Sequence, residues 1–377
     1  MGVVILPFQD LWPVSDLDTP AFVIDLDRLE RNLDTMAQLT RQAGVKLRPH
    51  VKTHKSPLIA RWQLDRGAAG IAVAKLGEAE VMADAGITDI LIAYPIVGEP
   101  KLRRLADLCR RTEIRVAVDS VAVATGISQV GRQVGRDIPV YLEVDTGLHR
   151  MGLEPGEPVV RLARAVRDLG ALEVVGVMGH AGHVAAASTP EDAARVGEDD
   201  ARTLVATAES LRQAGFDIRE VSPGSTPTTR QALGVPGVTE VRPGTYVFND
   251  VNTVARWAAT WEDCAAWVVA TVVSRPAADR LVIDAGSKVL SRDPSLHPEV
   301  PGFGRVRNHP GLVLDRLSEE HGVVRIGLQG SALKVGDRLE VIPNHVCTSL
   351  ANFEVAYGVR RGQVETTIPI AARGKFQ

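Results

Sequence analysis

Val45-Lys46-Leu47-Arg48-Pro49-His50-Val51-Lys52-Thr53-His54-Lys55 runs from an apolar strand pattern into a concentration of cations that no hydrophobic core holds unpaired. The basic side chains Arg48, His50, Lys52 and His54 alternate with small or apolar ones, and the two-residue period of an extended chain sends them to one face. A lysine at the C-terminal end of a buried strand loses its proton through desolvation and crowding by other cations, which makes it an amine nucleophile. The stretch therefore predicts a buried strand with a reactive site at its end.

Outward from it, apolar runs alternate with helical patterns. Strands are predicted at Leu47–Val51, Gly70–Ala74, Asp89–Tyr94, Ile114–Val118, Val140–Val144, Glu173–Met178, Ile218–Val221 and Thr239–Val241. Helices are predicted between them, at Ser56–Arg66, Leu76–Ala85, Pro100–Arg111, Val121–Val134, Pro158–Leu169 and Pro190–Ala214, several opened by Ser, Thr or Pro and several closed by Gly86, Gly170 or Gly215. Only the link between the last two strands lacks a strong helix. Eight strands that are apolar on both faces and alternate with helices define a (β/α)₈ barrel of the TIM type. A doubly wound sheet announces itself with a Gly-rich first turn, which Arg48-Pro49-His50-Val51-Lys52 is not.

Beyond about Arg256 the rhythm changes to short strands without helices, at Trp267–Val273, Arg280–Ile283, Gly322–Ile326, Arg338–Val341 and Val364–Ile368, with hairpin turns expected at Gly336-Asp337 and Arg361-Gly362. The chain is thus expected to divide into an N-terminal segment, residues 1–26, that joins a β-rich domain; a barrel, 27–255; and the β-rich domain itself, 256–377.

With 377 residues, 45% hydrophobic, 24% charged and a net charge of −3, the composition is that of a globular protein without the basic excess that attracts nucleic acid. A small-molecule partner is expected. Three widely spaced cysteines argue against a disulfide framework and for a reducing compartment. There is no apolar run of the roughly 18 residues that spans a membrane, and Met1 to Pro20 lacks the pattern of a secretion signal, so a cytoplasmic location is expected.

In a barrel the active face lies at the C-terminal strand ends. There the sequence places Lys52, Arg150, His180, the turn Gly224-Ser225-Thr226, Arg242 and Tyr246. The turn offers backbone N–H groups and two hydroxyls without negative charge, which suits a phosphate monoester; it serves equally as the cap of a helix at Pro227–Leu233. A lysine amine and a phosphate site on one face point to pyridoxal 5′-phosphate.

These stretches, Arg48-Pro49-His50-Val51-Lys52-Thr53-His54-Lys55, Val144-Asp145-Thr146-Gly147-Leu148-His149-Arg150-Met151-Gly152, Gly179-His180-Ala181-Gly182-His183, Gly224-Ser225-Thr226-Pro227-Thr228, Arg242-Pro243-Gly244-Thr245-Tyr246 and Pro343-Asn344-His345-Val346-Cys347, resemble the D-serine dehydratase and D-threonine aldolase group of alanine-racemase-like, fold type III pyridoxal phosphate enzymes. The resemblance implies that Lys52 binds the cofactor aldehyde, His180 stacks on its pyridine ring and Arg150 lies near its phenolic oxygen. It also implies that Gly224, Ser225 and Thr226 hold the phosphate, that Arg242 faces the pyridine nitrogen, and that Tyr246 is close by. The second catalytic tyrosine of the racemases has no counterpart, which argues against racemisation.

His345 and Cys347, two apart on an expected strand, share a face and present a mixed N/S donor pair. By spacing alone they are equally a structural histidine and an inert core cysteine. The resemblance implies a divalent metal there, Zn²⁺ favoured and Mn²⁺ as the alternative. The thiolate, where aldolase members carry Asp, inclines the reading to dehydration and deamination of a β-hydroxy-D-amino acid. Retro-aldol cleavage to glycine and an aldehyde is the alternative, and a non-catalytic cofactor carrier is a third reading. The resemblance further implies a homodimer.

Overall fold

The computed structural model describes residues 11–377. Residues 1–10 of the expected N-terminal segment lie outside the described residues. Parallel strands Ile71–Val73, Asp89–Ile92, Glu113–Val118, Ile138–Glu143, Leu172–Met178 and Glu220–Ser222 form one sheet in sequence order. Lys46–Leu47 and Glu240–Val241 form a second parallel pair. Backbone hydrogen bonds join the two sheets at both edges: Val51 N to Ala72 O (2.8 Å) and Ala72 N to Pro49 O (2.8 Å) on one side, Thr239 N to Val221 O (3.1 Å) on the other. All eight expected strands are present and the ring closes.

Between strands lie helices Pro57–Asp65, Leu76–Asp84, Glu99–Cys109, Val121–Val134, Glu157–Leu169 and Pro190–Gln213, with only the short Thr229–Leu233 before the last strand. The remaining sector is covered by Leu26–Ala43, which precedes the first barrel strand. Asp25 caps it by accepting from Arg28 N, Gly44 ends it in the left-handed region, and its buried stripe Leu29, Leu33 and Met36 joins Leu47, Ile59, Val247 and Phe248 in one cluster.

In the second domain, strands Ala266–Ala277, Arg280–Ile283, Gly322–Ile326, Leu312–Leu317, Arg305–Val306 and Arg338–Ile342 pair antiparallel in that order, and the last returns to the first, closing a small barrel. Ala21–Asp25 pairs with Ala266–Ala277 and with Val355–Arg360, so this part of the chain start lies in the β-rich sheet. Arg361 and Gly362 both have positive φ and join Val355–Arg360 to Gln363–Pro369 as the expected hairpin.

The two domains share a core. Phe22, fully buried on the N-terminal strand, lies 6.5 Å from the ring of Phe248 at the end of the barrel and 5.4 Å from that of Phe353 in the second domain. Phe22→Ala removes the aromatic that both domains pack on. We expect denaturant unfolding to report a loss of about 3–5 kcal/mol in a protein that still folds.

Candidate active site

The first barrel strand is shorter than its sequence pattern. Regular pairing stops at Leu47, Pro49 has no N–H to continue the ladder, and residues 51–54 turn, closed by Lys55 N to Val51 O (2.8 Å), with Lys55 at positive φ. The expectation that Arg48, His50, Lys52 and His54 share one face is therefore corrected. Arg48 points into the barrel, His50 and Lys52 line the cavity above it, and His54 is fully buried against Gln63.

Two lysines leave this turn with opposite fates. Lys55 is buried in an ion pair with Glu78. Lys52 Nζ has no hydrogen bond or ion pair among the described residues. Burial pushes its pKa below the usual lysine value, the Cys347 thiolate opposes this, and Arg150 and Arg242 push it lower.

Opposite Lys52, His180 donates from Nδ1 to Gly224 O at 2.8 Å, which leaves Nε2 as the unprotonated nitrogen. Burial, with Lys52, Arg150 and Arg242 nearby, pushes its pKa down to about 3, so the ring is neutral. Arg242 donates from Nε to Ser222 Oγ (3.0 Å) and from Nη2 to Gly179 O (2.6 Å), while Nη1 has no acceptor among the described residues. A Cβ at Gly224 would meet Arg242 Nη1 at 2.5 Å, so only glycine admits the guanidinium here. Beneath, Ser222 Oγ donates to Glu240 Oε1 (2.7 Å), Glu240 Oε2 accepts from Arg48 Nε (2.6 Å), and Arg48 Nη1 reaches Asp89 (2.7 Å). A polar ladder thus runs up the barrel axis and ends at Arg242.

His345 and Cys347 come from the second domain. The expectation of a strand there is corrected: the strand ends at Ile342, His345 is an N-cap and Cys347 lies in the first turn of helix Val346–Leu350. The turn is set by Asp250, whose Oδ2 accepts from Val346 N at 3.0 Å and lies 3.6 Å from His345 Nδ1. Cys347 Sγ is hydrogen-bonded to Thr53 Oγ1 at 3.2 Å, beside Lys52. Burial pushes the Cys347 thiol up, but His345 and Thr53 outweigh it and the net shift is downward; the Cys347 charge in turn raises His345 to about 10. The pair shares a proton that a metal ion can replace. Among the described residues no group of three or more His, Cys, Asp or Glu is placed to hold an ion, so His345 and Cys347 stand as a two-donor pair.

His50, Lys52, His180 and Arg242 form the wall between two cavities. One, about 230 Å³, contains Ser225, Thr226, His345 and Cys347; the other, about 650 Å³, contains Arg150. Lys52, Arg150, His180, Ser225, Thr226, Arg242, His345 and Cys347 are thereby brought together, with Gly224 at the edge. The turn side chains do not cap the short helix, which starts at Thr229 with no side-chain cap. A free amine, a guanidinium N–H without acceptor and two hydroxyls on one wall fit pyridoxal phosphate. Tyr246 is not brought in: its hydroxyl accepts from Gln63 (2.9 Å) and it lines a separate cavity of about 240 Å³ that also touches Thr226. Its backbone N–H, bonded to Thr226 Oγ1 (3.2 Å), is its link to the site.

Sequence reasoning missed Glu143, Thr53 and Asp250. Glu143 is 3% exposed, its Oε2 has no partner among the described residues, and burial pushes its pKa up to about 7. A lone acid in the apolar run Val140-Tyr141-Leu142-Glu143-Val144 was the available signal.

Residues 24–251 match the family model for the alanine racemase N-terminal domain, and residues 265–359 match that for a putative serine dehydratase domain. The chain is 40% identical to D-threo-3-hydroxyaspartate dehydratase from Delftia sp. (strain HT23), over 89% of this chain and 93% of that one. It is 35% identical to D-threonine aldolase from Arthrobacter sp, over 98% and 96%. A cysteine-to-alanine mutant of D-threo-3-hydroxyaspartate dehydratase, solved in the metal-free form, superimposes with a TM-score of 0.86 at 36% identity, covering 95% of this chain and 98% of that one.

Glu143 makes stability depend on pH. Its carboxyl holds a proton to about pH 7 when folded, against an ordinary value of 4.5. The native state therefore binds more protons across that window, and stability falls as pH rises through it. Glu143→Gln does not titrate. Thermal unfolding of the cofactor-free proteins should show the variant gaining on wild type by on the order of 3 kcal/mol between pH 4.5 and pH 8.

Proposed function

Since the chain belongs to the D-serine dehydratase and D-threonine aldolase group of alanine-racemase-like proteins, we propose that it is a pyridoxal phosphate- and divalent-metal-dependent lyase that dehydrates β-hydroxy-D-amino acids. The observation that carries this reading is the meeting of Lys52, an amine without a partner, with the His345–Cys347 pair across the 3.2 Å contact between Thr53 and Cys347.

Lys52 would hold the cofactor aldehyde, Arg242 would serve the pyridine nitrogen, His180 the ring and Arg150 the phenolic oxygen, and Gly224, Ser225 and Thr226 would hold the phosphate. An arginine cannot give up its proton to that nitrogen, so Arg242 keeps the ring from carrying a full positive charge. When bound, the cofactor supplies an electron sink for charge released at Cα. A divalent ion, zinc favoured and manganese the alternative, supplies Lewis acidity at the β-hydroxyl.

The lowered pKa of Lys52 suits a base that removes the Cα proton once the substrate amine has displaced it. His180, with its pKa pushed down to about 3, is too weak a base to compete for that proton. His345 and Cys347 orient the β-hydroxyl toward departure as water, and hydrolysis of the resulting imine gives a keto acid and ammonia. The same residues support cleavage between Cα and Cβ, and the aldolase relative favours keeping that as the second reading. We infer a homodimer from the family resemblance.

With D-threonine and zinc or manganese, dehydration yields 2-oxobutyrate and ammonia; glycine and acetaldehyde would establish the aldolase reading instead. Lys52→Ala should abolish the visible band of lysine-bound cofactor and lower turnover by at least about 10²–10⁴-fold. Cys347→Ala should keep the band and lose metal-dependent turnover.

A further inference from the structure

Lys55 stands where a glycine would be at ease. Its φ of 51° lies in the left-handed region, which strains a residue that has a side chain, and its buried ammonium is a further cost unless a partner meets it. The proposed chemistry uses Lys52 and gives Lys55 no task. A residue unfavourable on both counts calls for a use of the side chain itself.

That side chain joins separate parts of the chain. Nζ pairs with Glu78 in helix Leu76–Asp84, the two side chains being 8% and 2% exposed. The second oxygen of Glu78 accepts from Ala74 N at 2.7 Å, so one carboxylate ties the turn after the first barrel strand to the loop after the second. The Lys55 backbone is held as well: its carbonyl accepts from Ala372 N at 3.0 Å, and the centroid of the Phe376 ring lies 5.7 Å from Nζ. Residues 370–377 follow the last strand of the β-rich domain, Gln363–Pro369, yet fully buried Ala372 belongs to the apolar cluster of the barrel. Beyond it Gln377 O accepts from Gly77 N at 2.7 Å, in the first turn of the helix that carries Glu78.

Lys52 has no polar partner at Nζ to fix it, so its place is set by the backbone of residues 51–55, which closes through Lys55 N and Val51 O. A shift of about 1 Å in a reacting group can cost on the order of 100-fold in rate. Resting on the reading of Lys52 as the cofactor lysine, we propose that Lys55 is a positioning residue, which with Glu78 and residues 370–377 clamps the turn that presents Lys52. The β-rich domain then serves the site at two points, through His345 and Cys347 and through the stretch that grips Lys55.

A buried ion pair that serves stability alone can be replaced by neutral side chains at little cost, provided both charges are removed together. The test is therefore the double variant Lys55→Met/Glu78→Gln, which keeps an acceptor for Ala74 N. In the holoenzyme kcat should fall at least about tenfold with KM within about threefold of wild type. In the cofactor-free protein the amides of residues 51–55 should exchange with solvent at least about tenfold faster, while those of strands Ile138–Glu143 and Leu172–Met178 are unchanged. Wild-type kcat with unchanged exchange at 51–55 overturns the proposal. So does a loss of kcat with equally faster exchange throughout the barrel, which would mark general loosening. If the double variant does not fold, wild type decides: the amides of Lys55 and Ala372 should be protected to within about threefold of each other, and free exchange at Ala372 beside a protected Lys55 rejects the clamp. Borohydride reduction of the cofactor-loaded wild type, followed by peptide mapping, separates this from failure of the lyase reading. A label on Lys55 overturns the clamp. A label on neither Lys52 nor Lys55 removes the lyase reading alone, and selective acceleration of exchange at 51–55 still supports the clamp while its absence rejects it.

Discussion

The carboxylate of Asp250 is 1% exposed and starts two helices at once: Oδ1 accepts from Thr253 N at 2.8 Å in its own helix, and Oδ2 from Val346 N at 3.0 Å in the helix that carries Cys347. One helix belongs to the end of the barrel and the other to the β-rich domain. A buried carboxylate is tolerable only when donors surround it, and here the donors are the unpaired N–H groups that every helix start presents. Satisfying both fixes where the second domain sits on the first. His345 and Cys347 are then delivered to the turn after the first barrel strand with no freedom of their own, and the chemistry proposed for the site depends on that delivery.

The barrel below solves a related problem. Its axis is not filled with aliphatic side chains alone but with Arg48, Glu240, Ser222 and Asp89 in continuous hydrogen bonding, the Arg48 side chain 3% and the Glu240 side chain 0% exposed. Replacing such a network by apolar residues costs little stability in general, so stability does not explain it. Its upper end does. Arg242 is held by Ser222 through Nε and by Gly179 and Ser222 through Nη2, which leaves Nη1 without an acceptor among the described residues. A guanidinium fixed on two edges by a rigid ladder presents its third with little loss of entropy when a ligand arrives.

This architecture was legible where it depends on burial and illegible where it depends on local competition. All eight barrel strands could be read because strands covered on both faces are apolar throughout, and the helix stops at Gly86, Gly170 and Gly215 because few other residues end a helix so readily. Leu312–Leu317 and Val355–Arg360 were missed: exposed charges such as Asp315 and Arg316 interrupt the apolar pattern of one, and Gly358 that of the other. His345 and Cys347 were found as a pair, but on the wrong element, because the helix they start is set by Asp250, almost a hundred residues away. Tyr246 looked like a site residue from its place after the last strand; Gln63, the partner that turns it away, lies at a distance no local pattern records.

Lys52 and Lys55 show why position alone does not make a lysine reactive. They leave the same turn, and Lys55 is the more buried of the two, at 6% exposure. If desolvation decided the matter, Lys55 would be the better nucleophile. It is not, because Glu78 occupies its ammonium in a buried ion pair, while Ala372 N bonds to the Lys55 carbonyl and secures the turn. Lys52 has no such contact: burial and the nearby guanidinium groups of Arg150 and Arg242 push its pKa down, and the opposing charges of Cys347 and Glu78 do not offset them.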